Sequence, residues 1–345
     1  MKKLGITIIR EINDPIINRE DILHRLLRFF LRIYINLPFN ILFPKEIFKI
    51  LLVNNPILYK LIKINIFYKE YITYLEKGNL EKILTTKTKW ANYVIQNKNT
   101  YDVRTYDLAL NYRYLIDKYL NNNFSKLNSF DSFDQKQINF YIYGPNSENY
   151  PSKLYKNNIL VLTKFPNFSI DEFRETILFL NNHTINTKSD KELKEKCRNF
   201  KKIYIPHGTP RLLNNMINMP KLPQGVGLGG PMGFARILFC LKDKVKKPII
   251  KIEGFDLGIS KKAYSGKIES LYNVVYKKKN FESHYRLSLL DHDLIYNFLV
   301  VKDLLEDFII FNSTEFTKIV NKDLESFFKE IYTIREFKKL RYKID

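Results

Sequence analysis

Residues 225–258 read GVGLGGPMGFARILFCLKDKVKKPIIKIEGFDLG, and the fold class is decided there. A glycine-rich turn (Gly225 to Pro231) leads into a short apolar helix from Met232 to Leu241. Pro248 to Glu253 then form a buried-type strand, which ends in Gly254-Phe255-Asp256. Turn, helix, strand and acidic strand end are the parts of a nucleotide site in a parallel α/β sheet. Free backbone N–H groups at a helix start attract phosphate, and an acid beyond a strand accepts bonds from sugar hydroxyls.

Working outward, further short β-branched or aromatic runs fall at Ile138–Tyr143, Asn158–Thr163, Thr176–Leu180, Lys202–Ile205 and Asp307–Phe311. Helix or loop patterns separate them. Such spacing predicts an α/β fold with a Rossmann-like, open, mainly parallel sheet and right-handed crossovers. Ligands of such sheets sit beyond the strands' carboxyl ends. The segments in those places are Gly144-Pro145-Asn146-Ser147, Asn181-Asn182-His183, Pro206-His207-Gly208-Thr209 and Gly254-Phe255-Asp256.

Two regions are expected. Residues 131–345 hold the nucleotide-binding catalytic domain. Residues 1–130 are mostly helical and basic, and a polar linker lies between Asn121 and Gln135. Within residues 22–35, Arg25, Arg28 and Arg32 fall on one helical face, with Leu and Phe around the rest. A helix of that kind suits a membrane interface; packing as a helical subdomain on the core is the competing reading. Trp90, Tyr93, Leu108, Tyr112 and Leu115 read as helix-packing residues.

The chain has 345 residues and a net charge of +21, so its partners are expected among anions. No zinc finger or RNA-recognition motif accompanies the charge, and nucleic acid is not expected as a partner. Cys197 and Cys240 form no CxxC pair, which excludes a disulfide framework and fits a reducing cytoplasmic compartment. No apolar run reaches the roughly 18 residues of a membrane-spanning helix. Walker A and G-x-S-x-G motifs are absent.

Five histidines are the candidate bases: His24, His183, His207, His284 and His292. His292 sits in Asp291-His292-Asp293, directly before an apolar helix. That triplet has two readings: a divalent-cation site in a metal-dependent transferase that uses a nucleoside-diphosphate sugar, or a helix start capped by Asp293.

Taken in order, these residues resemble the bacterial sialyltransferases of glycosyltransferase family 42. The family's first-strand turn is matched by Gly144, Pro145, Asn146 and Ser147, and its later Asn by Asn182. His207 stands where the family has an Asn, and Gly229-Gly230 where a Ser- or Thr-containing turn faces the cytidine. Asp256 matches the strand ending in Gly-x-Asp; Tyr264 and Tyr272 match the phosphate-binding tyrosines. Ser283-His284-Tyr285 and His292 match the last motif and the catalytic base, although the usual spacing from that base to a following acid is not kept.

The resemblance implies an inverting glycosyltransferase with a CMP-sugar donor, sialic acid or a related keto-sugar acid, and a cell-surface glycan or glycolipid acceptor. It implies no metal and no cofactor. Its place would be cytoplasmic, at the inner face of the membrane. A basic membrane- or RNA-associated protein without catalysis is the non-enzymatic alternative.

Overall fold

The computed structural model describes residues 67–130 (apart from 68, 69, 72, 76 and 102), 137–144, 158–181 (apart from 172), 184–185, 188–220 (apart from 208), 233–257 (apart from 256), 293–311 and 315–334. The basic segment 22–35 and the glycine-rich turn 225–231 lie outside them.

Among the described residues eight parallel strands make one sheet: β1 (Ser129–Phe130), β2 (Phe140–Tyr143), β3 (Ile159–Leu162), β4 (Glu175–Phe179), β5 (Lys202–Ile205), β6 (Met216–Asn218), β7 (Ile249–Glu253) and β8 (Ile309–Phe311). Their order across the sheet is β1-β8-β7-β2-β3-β4-β5-β6. From β2 the chain steps outward through β3, β4, β5 and β6, then crosses back to place β7 on the other side of β2. The sheet therefore reverses direction between β2 and β7, with Tyr143 paired to Leu162 on one side and Glu253 on the other. This is the α/β, open parallel architecture expected from the strand spacing.

The strands are apolar on both faces because both are covered. Phe140, Ile142, Val161, Ile177, Ile250 and Ile252 face the larger core, and Tyr141, Tyr143, Leu160, Leu162, Leu178 and Ile203 the smaller one. The larger core holds α1 (Leu80–Gln96), α2 (Val103–Leu120), α4 (Gly233–Leu241), α5 (Leu294–Leu305), α6 (Glu315–Val320) and α7 (Leu324–Ile334). The smaller core is closed in part by Cys197 of α3 (Asp190–Cys197).

Helix α1 forms because Asn79 caps it, accepting from the Lys82 amide at 2.9 Å, and because Ile83, Leu84, Trp90, Ala91 and Val94 make one apolar stripe. Trp90 meets Tyr112 of α2 edge-on at 5.9 Å. Both helices share the core of the sheet domain, so for residues 80–120 packing on the core is what the structure shows. Helix α5 is apolar nearly all round and buried, the pattern of an interior helix.

Two organisational expectations need correction. The polar stretch 121–135 is not only a linker: Ser129 and Phe130 pair with Ile310 and Phe311 as the edge strand β1. Met216–Asn218, not among the expected strands, form the opposite edge strand β6 against β5. Both are very short, as edge strands often are. Among the described residues no helix is long and apolar enough to cross a membrane.

Candidate functional site at the sheet's reversal point

The carboxyl ends of β2 and β7 meet through two glycines. The Gly144 amide donates to the Glu253 carbonyl at 2.7 Å. A Cβ on Gly144 would stand 2.4 Å from the Gly254 carbonyl oxygen and 2.6 Å from the Phe255 ring. Gly254 itself has φ 71°, a left-handed conformation that side chains disfavour. Glycine at both positions lets the two strand ends close on each other.

Gly144→Ala should destabilise the fold by about 1–3 kcal/mol, since backbone rather than a flexible side chain blocks the methyl. A urea midpoint that falls at constant slope would show it.

Phe255 continues the junction. Its ring lies 4.5 Å from that of Phe234, in the first turn of α4, and Phe234 meets Phe316 at 5.0 Å. The start of α4 is thereby fixed at the end of β7. Helix α5 also begins at this edge: residues 306–308 return the chain directly into β8, and twelve helical residues span roughly 18 Å, about the depth of the sheet. Asp293 caps it, accepting from the Ile295 and Tyr296 amides at 3.0 and 3.1 Å.

Two neighbouring strand ends are shaped for the same edge. After β4, Asn181 turns the chain by accepting from the Thr184 amide at 2.8 Å. After β5 the chain turns back on itself, with the Thr209 amide donating to the Pro206 carbonyl at 3.2 Å. Asn218 at the end of β6 holds that turn by donating to the Thr209 carbonyl at 3.0 Å. His207 is exposed at its tip.

Of the expected site residues, Gly144 and His207 are therefore found at carboxyl ends of strands in the same sheet. Pro145, Asn146, Ser147, Asn182, Gly229, Gly230, Asp256, Tyr264, Tyr272, His284 and His292 lie outside the described residues.

Asp293 is not an open metal ligand. Its side chain is buried, its Oδ1 takes the two helix amides, and its Oδ2 takes Lys87 Nζ and the Tyr112 hydroxyl. The cation reading of Asp291 and Asp293 thus lacks an available second carboxylate; the capping reading is the one the structure shows.

Two clusters were not anticipated. Lys87, Tyr112 and Asp293 form one. In the other, Glu253 at the end of β7 accepts from the Tyr141 hydroxyl and pairs with Lys251 at 3.2 Å. The signal for the first was present: Lys87 falls on the apolar stripe of α1 between Ile83 and Ala91, four residues from each.

Neither cysteine is poised as a nucleophile. Burial pushes both thiols up to about 11, from an ordinary value near 9. Because the thiolate is the reactive form, native protein at pH 8 should resist a thiol reagent at both positions and label fully once unfolded. Rapid labelling of either residue in the native state would contradict that environment.

Comparison with family models, curated proteins and solved structures yields no match.

Proposed function

We propose that the chain is a sialyltransferase-like glycosyltransferase, moving a sialic acid or related keto-sugar acid from a CMP-sugar to a cell-surface glycan. The observation that carries this reading is the closure of β2 on β7 through Gly144 and Gly254 at the sheet's reversal point, the place where open α/β sheets hold ligands. The sequence order of the remaining motifs supports it.

In this reading Gly144, Pro145, Asn146, Ser147, Asn182, His207, Gly229, Gly230 and Asp256 cradle the nucleotide. His292 takes the proton of the acceptor hydroxyl, with His284 as the neighbouring candidate. The acceptor oxygen then bonds to the anomeric carbon from the face opposite the phosphate. The carbon–oxygen bond to the phosphate breaks, CMP departs with the electron pair, and the configuration inverts. Tyr264 and Tyr272 donate to the departing phosphate, in the role a cation plays in metal-dependent transferases. The excess of Lys and Arg suits an anionic donor and an anionic membrane surface, where a lipid-linked acceptor would be met from the cytoplasmic side.

Donor hydrolysis measured with and without EDTA tests the mechanism. The expected result is hydrolysis of a CMP-sugar at an unchanged rate in EDTA. Loss of activity on chelation, restored by a divalent cation, would contradict it.

A further inference from the structure

A lysine in the middle of a covered strand needs a counter-ion, and β7 carries one at its own end. Lys251 and Glu253 are paired in register with Tyr141 and Tyr143 of β2, whose side chains line the smaller core. Residues two apart on a strand share a face, so all four side chains stand on one side of the sheet. Lys251 is buried, and its Nζ lies 3.2 Å from Glu253 Oε1. The ammonium also stands 5.9 Å from the centroid of the Tyr141 ring and 5.4 Å from that of Phe311 on β8. The second carboxylate oxygen, Oε2, accepts from the Tyr141 hydroxyl. One partner on each oxygen holds the carboxylate in a single orientation.

Glu253 is also the residue on which the candidate site closes. Its carbonyl accepts from the Gly144 amide at 2.7 Å, and Gly254 follows it directly. The Lys251 side chain is only 11% exposed, whereas that of Glu253 is 33% exposed, so the carboxylate is within reach of a ligand at this strand end. An ionised carboxyl group can accept about four hydrogen bonds. Lys251 and Tyr141 take one position on each oxygen, and each oxygen keeps capacity for another donor.

The charge sorts what can bind there. A fixed carboxylate repels phosphate and favours hydroxyl donors. Two neighbouring hydroxyls on one sugar ring can donate to both oxygens at once. Acidic strand ends recognise ribose in dinucleotide folds by the same chemistry.

We propose that Glu253 is a binding residue of the candidate site: its carboxylate, held by Tyr141 and Lys251, accepts from the ribose hydroxyls of the nucleotide. The site then distinguishes a ribonucleotide from its deoxy form. The inference rests on the reading of the β2–β7 closure as a cytidine nucleotide site.

Calorimetric titration of the full chain with CMP and with 2′-deoxycytidine monophosphate tests it. Wild type should bind CMP at least about tenfold more tightly than the deoxy form, the scale of one hydrogen bond to a charged group. Glu253→Gln keeps the size of the side chain and removes its charge. The double variant Lys251→Met/Glu253→Leu removes ammonium and carboxylate together, so that neither is left buried without its partner. Each should bind CMP more weakly and bring the two affinities within about threefold of each other. Glu175→Gln is the control: it removes the ion pair to Lys202, at 3.3 Å, at the amino end of β4. Its ratio of affinities should equal that of wild type.

A retained preference for CMP in either Glu253 variant would overturn this inference and leave the proposed function standing. Equal affinities for the two nucleotides in wild type would do the same. A preference lost equally in Glu175→Gln would also overturn it, by showing a general effect of removing a charge. Failure of wild type to bind CMP would overturn the proposed function and this inference together.

Discussion

Lys87→Met should lower the unfolding free energy by about 3–5 kcal/mol, because it strands the Asp293 carboxylate in the core with its cation gone. Both side chains are essentially sealed from solvent. Adding Asp293→Asn should recover most of the loss, since the stranded charge is then removed and the amide oxygen can still cap α5. Chemical denaturation of wild type, single and double variants measures this directly. A single variant as stable as wild type would mean that the pair is not closed in solution.

Burial, the largest influence, lowers the Lys87 ammonium below its ordinary value, and Asp293 opposes that pull.

The second large effect concerns chemistry. His292→Ala should lower CMP-sugar hydrolysis by about 10²-fold or more, the usual worth of a positioned general base. Stability should change little, because the cap of α5 belongs to Asp293. His284→Ala separates the two candidate bases: the larger fall in kcat at neutral pH, with donor KM unchanged, identifies the one that moves the proton. Equal, near-wild-type rates in both would remove both from the mechanism.

Much of the fold could be read in the sequence because parallel strands covered on both faces are short continuous apolar runs. Ile159–Leu162 and Ile249–Glu253 stand out for that reason, and Lys202–Ile205 was located to the residue. The two edge strands escaped because each has a neighbour on one side only and needs little apolar surface. Phe130 remains 50% exposed and Ile217 36%. Gly144 was legible as a glycine closing a strand. Its partner was not, since contact with Gly254 depends on sheet order rather than on any local pattern. The Lys87–Asp293 pair joins two helices far apart in sequence; one lysine in an apolar stripe marks a buried charge without naming its counter-ion.

Nucleotide binding reaches the central claim, that the ends of β2 and β7 close on a cytidine nucleotide, most directly. Thermal unfolding in the presence of CMP, UDP and GDP should show a rise in Tm with CMP alone, and Gly144→Ala should weaken it. At a concentration 100-fold above Kd the stabilisation would be about 2.7 kcal/mol. No shift with CMP, or equal shifts with UDP or GDP, would contradict the account.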